Sequence, residues 1–314
     1  SQLCLAGKFS LEELAQLRQW GSPTTGHPEF EVARGIENTS GPLGQGHVFA
    51  VGAAIAAKFL AAHTGNPTFA KETIYAYISD GGIQEEISQG GARIAATLGL
   101  DNLIMFYDSN DIQLSTETSV VMKEDTEAKY KAWGWNVINI NGNDADEIRE
   151  ALKAAQKEEK RPTLIIGKTI MGKGALRADG TSYEACINTH GAPLGGDAYI
   201  NTIKNLGGNP ESPFEIFPEV QKLYADRKEE LKQIVAARYA EEAEWAKANP
   251  EKAALMKEWF SGNAPKVDWT ACVQKENSAT RAASAACLSV LAEQVPNMIC
   301  GSADLSNSDK TDGF

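Results

Sequence analysis

Basic residues are scarce in this sequence. Its 314 residues include 30 Lys and Arg but 42 Asp and Glu, which gives a formal net charge of −12. A protein whose main partner is nucleic acid or an anionic membrane needs a basic face, so we expect neither partner. A small anionic ligand is compatible with this charge, because backbone N–H groups and a bound cation can hold phosphate on an acidic protein.

Cysteines and long apolar runs are also sparse. The five cysteines are scattered, and no Cys-x-x-Cys pair or Cys/His spacing indicates zinc, so we expect a reduced, cytoplasmic protein. The most apolar helical stretch, residues 53–62, contains Lys58 and is too short to span a bilayer. No secretory signal is visible at the start, and the last residues are polar and loop-like. We therefore expect the sequence to be part of a longer protein.

Apolar strands alternate with helical patterns between residues 73 and 167. Predicted strands cover residues 74–78, 103–107, 135–140 and 163–166, and predicted helices cover residues 84–98, 124–132 and 145–157. This alternation is typical of βαβ units, and almost continuously apolar strands indicate that helices cover both faces of the sheet. We therefore predict an α/β fold with a parallel sheet over residues 1–205.

The composition changes after residue 205. Residues 219–260 form a highly charged, Ala-rich helical stretch that is interrupted at Asn249 and Pro250, which is typical of a solvated helix. We predict a mostly helical connector over residues 206–275. A helix over residues 280–294 and a strand over residues 298–300 then indicate the beginning of a second α/β domain, residues 276–314.

A glycine-rich segment, residues 167–174, follows the last predicted strand. It matches the phosphate-binding loop of nucleotide triphosphatases up to the final position, where Gly174 stands in place of the Ser or Thr that should bind Mg²⁺. The residues that follow are too broken for the required helix. A P-loop NTPase is therefore an alternative that ranks below a flexible glycine-rich loop.

A second candidate site combines two strand ends. Asp80 follows the strand 74–78, and Asn110 follows the next strand along the chain. A right-handed βαβ crossover would place the two side by side, and their oxygen atoms are ligands that Mg²⁺ or Ca²⁺ accepts when phosphates complete the shell. The spacing alone leaves open a second interpretation, in which both are ordinary Asx turns.

Motifs favour the first interpretation. The segments GHPEF (26–30), TSGPLGQG (39–46), SDGGIQEEIS (79–88), YDSNDIQL (107–114) and THGAPL (189–194) occur in the order found in transketolases. The later segments ATRAAS (279–284) and GSADLSNS (301–308) resemble the start of that family's pyrimidine-binding domain. The sequence therefore resembles a transketolase over nearly its whole length, with the family's thiamine-diphosphate-binding fold.

The resemblance implies a cofactor site. The divalent cation, Mg²⁺ or Ca²⁺, would bridge the two phosphates of thiamine diphosphate, and its protein ligands would be Asp80, the side chain of Asn110 and the carbonyl of Ile112. Further cofactor contacts would come from Gly41, Leu43, Gly81, His190 and Asp304.

The resemblance also implies catalytic and substrate residues. His27 and His190 would contact substrate hydroxyls and the reacting centre, and Glu85 would lie at the subunit interface beside the partner's activating glutamate. Arg281 and Ser308 would hold the terminal phosphate of the sugar. Two residues depart from the family pattern, because Ser79 and Glu86 each stand where the family has glycine. We expect the Glu86 side chain to change the local geometry of the first helical turn.

The implied activity is reversible transfer of a two-carbon ketol unit from a ketose phosphate to an aldose phosphate in the pentose phosphate pathway. The implied assembly is a cytoplasmic homodimer with the site at the subunit interface, to which this chain supplies the diphosphate and metal half. The activating glutamate and the pocket for the aminopyrimidine ring would lie outside this sequence. Retained alternatives are a dihydroxyacetone synthase, a deoxyxylulose-phosphate synthase and a non-catalytic thiamine-diphosphate-binding subunit.

Overall fold

The computed structural model describes all 314 residues. They form two compact units, residues 1–242 and residues 243–314. The division of the chain after residues 205 and 275 remains a prediction.

The first unit contains eleven helices and all of the strands, in the order given next. The helices are α1 (Gln2–Leu5), α2 (Leu11–Ala15), α3 (Gln45–Thr64), α4 (Pro67–Ala70), α5 (Asp80–Gln84), α6 (Glu86–Thr97), α7 (Thr118–Val121), α8 (Thr126–Trp133), α9 (Ala145–Ala155), α10 (Gly196–Asn205) and α11 (Pro218–Ala248), the last of which continues past residue 242. The strands are β1 (Ile74–Ser79), β2 (Leu103–Ser109), β3 (Asn136–Asn141) and β4 (Thr163–Lys168).

The four strands form one parallel sheet in the order β1-β2-β4-β3. The parallel sheet and each of its four strands confirm the sequence prediction. The chain runs from β1 to the neighbouring β2 and on to β3 at the far side of the sheet. It then returns, and β4 lies between β2 and β3. In a parallel sheet all strand C-termini lie at one edge, so the segments that follow the four strands meet there.

Helices cover both faces of this sheet, as predicted. Alternate residues of β2 belong to two different apolar clusters: Leu103 and Met105 pack with α3, α6 and α8, whereas Ile104 packs with α9. Successive strand side chains point to opposite faces, so these clusters are the two sides of the sheet. The larger cluster includes the fully buried Trp135, whose indole N–H donates to the Ala92 carbonyl at 2.9 Å.

Helix α3 is longer than the sequence pattern indicated. It spans Gln45–Thr64, so the expectation that this region is too short to cross a bilayer is wrong on length and composition. Its place in the fold explains its apolar character, because Ala50, Val51 and Ala54 are buried in the larger cluster of the sheet. Only part of α3 is buried in this way, and Phe49 on the same helix is exposed.

The helix predicted over residues 84–98 is confirmed as α6, Glu86–Thr97. A short helix before it, α5, was not predicted, and Glu85 separates the two in extended backbone. The Glu85 N–H ends α5 by donating to the Gly82 carbonyl at 3.3 Å, and Glu85 is the N-cap residue of α6. α5 is only five residues long and contains two glycines, which is why the sequence pattern did not indicate it.

The second unit is helical. After the end of α11 it contains α12 (Pro250–Trp259) and α13 (Thr280–Gln294). The predicted break at Asn249 and Pro250 and the helix 280–294 are confirmed. The strand predicted over residues 298–300 is wrong, because this segment has no paired strand to bond its backbone.

Candidate functional site

Asp80 lies at the carboxyl edge of the sheet, directly after β1. It is the first residue of α5 and is only 1% exposed. β1 pairs with β2 so that Ser79 lies opposite Asp108, and the segment after β2 therefore passes beside Asp80. The register of these two strands brings the predicted residues Asp80 and Asn110 together.

Three hydrogen bonds fix the Asp80 carboxylate. The Tyr107 hydroxyl donates to Oδ1 at 2.6 Å, and the backbone N–H groups of Asn110 and Asp111 donate to Oδ2 at 3.0 and 3.1 Å. Asp111 adopts a left-handed backbone conformation with φ of 66°, which is uncommon for a residue other than glycine. This turn lets two successive N–H groups face the same carboxylate oxygen.

The electrostatics of this pair follow from burial. Burial raises the pKa of Asp80, while the hydrogen bonds from Tyr107 and the Asn110 backbone oppose the shift. Burial also raises the pKa of Tyr107, and its hydrogen bond to Asp80 adds to the effect. Tyr107 therefore stays protonated and donates to Asp80. These three donors are neutral. A cation bound near Asp80 would favour the charged carboxylate more strongly than they do.

The predicted metal ligands fit a hard divalent cation. A carboxylate has about four lone-pair sites, and the hydrogen bonds to Asp80 use three of them. The Asn110 Oδ1 atom accepts only the Ile112 N–H, at 3.0 Å, and the Ile112 carbonyl accepts no hydrogen bond within the chain. All three residues therefore keep oxygen lone pairs, which are the donors that Mg²⁺ and Ca²⁺ prefer.

The start of α3 lies beside the Asp80 turn. A Cβ atom added to Gly81 would be 3.2 Å from Leu43 Cδ1, so these two predicted cofactor residues are in contact. Gly44 has φ of 85°, and a Cβ there would lie 2.7 Å from Ile87 Cγ2 and 3.0 Å from Glu85 Cβ. Only glycine permits this conformation at so close an approach.

A buried histidine links the same elements, and the sequence analysis assigned it no role. His47 of α3 is 6% exposed, and its Nδ1 lies 2.6 Å from Ser88 Oγ, which in turn donates to the Gly82 carbonyl at 2.8 Å. Because the Ser88 proton is used there, His47 Nδ1 carries the proton of its own bond. Burial lowers the pKa of His47 to about 4, so the ring is neutral near pH 7. Its position beside the GPLGQG motif was the available clue.

His27 packs against the same glycine-rich loop. A Cβ on Gly41 would be 3.2 Å from His27 Cγ, so the ring covers this glycine. The Ser40 N–H also donates to the Pro28 carbonyl at 3.0 Å. The structure therefore brings the GHPEF and GPLGQG motifs together and leaves His27 exposed.

His190 lies in the loop region that follows β4. It ends a short 3-10 turn, residues 187–189, and a Cβ on Gly172 would be 2.8 Å from Thr189 Oγ1. The His190 Nδ1 atom is buried and has no hydrogen-bond partner in the chain. A buried polar atom of this kind is costly unless a ligand or water satisfies it.

Glu85 and Glu86 are both exposed at the junction of α5 and α6. Glu85 makes no ion pair within the chain, which is compatible with a role toward another subunit. Glu86, which departs from the family pattern, is the first residue of a regular α6. An acidic residue is favourable there because of the helix dipole.

The glycine-rich segment 167–174 does not form a phosphate-binding loop. Gly167 and Lys168 end β4, and the next α-helix begins only at Gly196. Lys168 instead pairs with Asp111, with Nζ 2.5 Å from Oδ2. The required strand–loop–helix arrangement is absent, so the P-loop alternative loses its structural context.

Three predicted residues belong to the second unit. Arg281 lies in the first turn of α13, and its Nη1 atom donates to the Ser308 carbonyl at 3.4 Å. The structure thus brings the two predicted phosphate ligands together, and both are exposed. Asp304 is also exposed and has a left-handed φ of 64°.

Further polar residues near the Asp80 turn were not assigned a role from the sequence: Tyr77, Tyr107, Asp108 and Thr169. Asp108 accepts hydrogen bonds from Tyr77 at 2.9 Å and from Thr169, and it lies 3.5 Å from the Asn110 amide nitrogen. The alternation of β2 could have indicated that Tyr107 and Asp108 face opposite sides. Their partners depend on strand order, which the pattern does not give.

Comparisons of the chain with a family model and with curated proteins indicate the same family. Residues 1–265 match the family described as "Transketolase, thiamine diphosphate binding domain". The transketolase of Staphylococcus epidermidis (strain ATCC 35984) is 38% identical over 324 aligned residues, which cover 99% of this chain and 47% of the relative. Transketolase 1 of Vibrio cholerae is also 38% identical over 324 residues, with 99% and 48% covered. The chain thus spans about half the length of the curated relatives it matches.

Comparison with solved structures indicates the same family. The chain is similar to the transketolase from Leishmania mexicana with a TM-score of 0.89 and 33% identity, covering 98% of this chain and 46% of that one. A transketolase structure from Pichia stipitis, described as a complex with sedoheptulose 7-phosphate, gives 0.88 and 34%, with 99% and 46% covered. The α/β fold with a parallel sheet is therefore that of transketolase structures.

Proposed function

The chain belongs to the transketolase family, and from that premise we propose that the protein carrying it is a transketolase. It would transfer a two-carbon ketol unit between sugar phosphates. The observation that carries this proposal is the Asp80 turn: a buried carboxylate, fixed by the segment after β2, lies within residues 1–265 that match the thiamine-diphosphate-binding domain. The retained alternatives, including dihydroxyacetone synthase and deoxyxylulose-phosphate synthase, are not favoured, since the relatives are named transketolase.

In this proposal Asp80, Asn110 and the Ile112 carbonyl hold Mg²⁺ or Ca²⁺. Their unused oxygen lone pairs support it, as does the absence of any cation of the chain bonded to Asp80. Thiamine diphosphate, when bound, supplies the carbon nucleophile that cleaves and forms the carbon–carbon bond. The chain's own part is to hold the metal and the diphosphate at the carboxyl edge of the sheet.

The two motif histidines would act on the substrate. His190 has a buried Nδ1 without a partner, which a ligand would satisfy. His27 is exposed beside Gly41 and is free to reach a sugar hydroxyl. An imidazole can both donate and accept a hydrogen bond, so it suits the proton movements that hydroxyl groups undergo in this transfer.

Arg281 and Ser308 would bind the terminal phosphate of the sugar. The guanidinium is suited to phosphate because its N–H groups form a planar fork, and the neighbouring hydroxyl adds a donor. Solved Pichia stipitis relatives are described as complexes with sedoheptulose 7-phosphate and fructose 6-phosphate, which supports sugar phosphates as the substrate class. Asp304 would contact the cofactor.

The protein would act as a homodimer with its site at the subunit interface. Helices α3 and α6 pack together, and large apolar side chains on or just before them are each more than half exposed: Leu43 before α3, Phe49 on α3, and Ile87 and Ile94 on α6. Large exposed apolar side chains on packed helices support an association surface here. Glu85 lies at the same edge and would face the partner. Sedimentation of the cofactor-loaded protein tests this, and an active monomer would contradict it.

A cytoplasmic location is also proposed, supported by five cysteines that form no disulfide. Magnesium dependence and a place in the pentose phosphate pathway belong to the same proposal.

A ketol-transfer assay tests the function directly. The protein that carries this chain, in its longest natural form, should transfer a two-carbon unit from xylulose 5-phosphate to ribose 5-phosphate, and chelation of divalent cations should abolish the reaction. Binding of thiamine diphosphate without any transfer would favour a non-catalytic subunit. Binding of ATP without thiamine diphosphate would contradict the proposal altogether.

A further inference from the structure

Two cysteines of the second unit lie in contact. Cys272 follows a 3-10 turn, residues 269–271, and Cys287 lies on α13. Their Sγ atoms are 3.6 Å apart, and both residues are partly exposed. The other three cysteines are not bonded to any cysteine, so this contact singles out one pair.

A neighbouring amide is directed at both sulfurs. Gln274 Nε2 lies 3.2 Å from Cys272 Sγ and 3.6 Å from Cys287 Sγ, and it also donates to the Ala283 carbonyl at 3.1 Å. Ala283 is one helical turn before Cys287, so the Gln274 side chain ties the Cys272 segment to α13. The two sulfurs are therefore held together by more than their own contact.

From this geometry we propose that Cys272 and Cys287 form a reversible intramolecular disulfide, a redox modification site that is independent of the proposed ketol transfer. The sulfurs need to approach by about 1.5 Å to reach the bonding distance of about 2.05 Å. Both cysteine side chains are short and partly exposed. They can therefore rotate toward each other without disrupting a buried core. A disulfide in a reduced compartment is typically of this transient kind.

The oxidant is a peroxide, and the step balances. The Cys272 thiolate attacks hydrogen peroxide, its sulfur is oxidised to a sulfenic acid, and the O–O bond breaks with release of water once a proton is taken up. The Cys287 sulfur then attacks the sulfenic sulfur and displaces hydroxide, which leaves as water with the Cys287 proton. Two thiols and one peroxide thus give one disulfide and two waters.

The roles of the two sulfurs follow from their donors. The contact with Cys272 raises the pKa of Cys287, and burial adds to the effect, which disfavours the Cys287 thiolate. The Gln274 Nε2 atom also lies closer to Cys272 Sγ than to Cys287 Sγ. Cys272 is therefore the attacking sulfur and Cys287 the resolving one.

A metal site is the competing use of two close cysteines, and the surroundings do not support it. No group of three or more His, Cys, Asp or Glu in the chain is arranged to hold a metal ion, whereas structural zinc needs four such ligands.

Peptide mapping of the peroxide-treated protein tests the proposal. After free thiols are blocked, trypsin places Cys272 in residues 267–275 and Cys287 in residues 282–310, a peptide that also contains Cys300. We expect these two peptides to be linked, with loss of two hydrogen atoms, and to separate after treatment with dithiothreitol. The link should persist in Cys300→Ser and disappear in Cys287→Ser. The oxidised protein should also unfold at a higher temperature than the reduced one, because the cross-link restricts the unfolded chain.

Three results would overturn the proposal. One is a link that disappears in Cys300→Ser, which would show that Cys272 is bridged to Cys300 and not to Cys287. Another is addition of oxygen to either sulfur without a link. The third is a link formed only between two molecules, detected as a dimer under non-reducing denaturing conditions. The first two are measured on wild-type protein and on the Cys300→Ser variant, so neither depends on how the Cys272 or Cys287 variants fold.

Discussion

The Asp80 turn in the first unit and the Arg281–Ser308 pair in the second are both assigned to ligand binding, yet they are built differently. Asp80 is 1% exposed and accepts three hydrogen bonds from the segment around β2. Arg281 is exposed and makes one long bond, at 3.4 Å, to a backbone carbonyl. The chain's own hydrogen bonds thus fix Asp80, whereas the proposed phosphate ligand would have to order Arg281.

This difference separates two kinds of binding residue. Substitutions that remove a hydrogen bond to Asp80 should change both the stability of the fold and the affinity for the cofactor, because the same hydrogen bonds serve both. Substitutions at Arg281 should change affinity alone. Each of the following predictions tests one side of this contrast.

Asp80→Asn should have the largest effect, on metal-dependent binding of thiamine diphosphate. The amide oxygen can still accept the two N–H groups, and the amide nitrogen can donate to Tyr107, so the fold is kept. The only negatively charged group of the proposed metal site is lost. We expect at least about 100-fold weaker affinity, beyond the roughly 10–100-fold typical of residues that only support ligands.

Calorimetric titration of the full protein with Mg²⁺ and thiamine diphosphate measures this effect. Asp146→Asn is the matched control, because Asp146 is exposed on α9 and pairs only with Arg149. Equal affinity of the wild type and Asp80→Asn for Mg²⁺ and thiamine diphosphate would show that Asp80 is not a metal ligand.

Tyr107→Phe should destabilise the fold without any ligand. It removes the 2.6 Å hydrogen bond to Asp80 and leaves a buried carboxylate oxygen without its donor. Hydrogen bonds to charged groups contribute about 2 kcal/mol, and chemical denaturation should show a loss of about this size.

Tyr130→Phe provides the comparison for Tyr107→Phe. Tyr130 is fully buried in the same apolar cluster, but its hydroxyl has no hydrogen-bond partner. Its removal should therefore cost little or nothing. Equal losses in the two variants would show that the Tyr107 hydroxyl does not support Asp80.

His47 should make the stability of the first unit depend on pH. Burial lowers its pKa from 6.5 to about 4, so between these values the unfolded state binds a proton that the folded state does not. The stabilisation is complete above pH 6.5 and decreases as the pH falls toward 4, by at most about 1.4 kcal/mol per pH unit.

Unfolding measured at several pH values across this interval reports the slope. His47→Asn places an amide N–H near the position of Nδ1–H and cannot titrate, so the contribution of this residue to the slope should vanish while the bond to Ser88 is kept. An unchanged slope in this variant would assign the pH dependence to other groups.

Much of this site could be predicted from the sequence, for a physical reason. The strands 74–79 and 103–109 are apolar runs that end in polar turns, and ends of adjacent parallel strands meet at one edge, which is why Asp80 and Asn110 were expected together. The Tyr107 donor depends on the register of β1 with β2, and the Asp108–Thr169 contact depends on β4 lying next to β2. Neither follows from periodicity.

The errors have equally specific causes. The short helix α5 was missed because it has only five residues, two of them glycine, and periodicity identifies only longer helices. Residues 298–300 look like a strand by composition, but strand formation depends on a neighbour that only the fold supplies. His47 was passed over because a histidine becomes informative only when its burial and its contact with Ser88 are known.

Arg281→Gln should have the smallest effect on stability, within about 0.5 kcal/mol, because the side chain is exposed and makes a single weak contact. Under the proposed function it should nevertheless raise the KM for the sugar phosphate and leave kcat nearly unchanged, since it contacts only the non-reacting phosphate. Arg149→Gln, at an exposed arginine of α9 paired with Asp146, should change neither. If Arg281→Gln instead lowered stability as much as Tyr107→Phe, the contrast between a site fixed by the fold and one ordered by its ligand would fail.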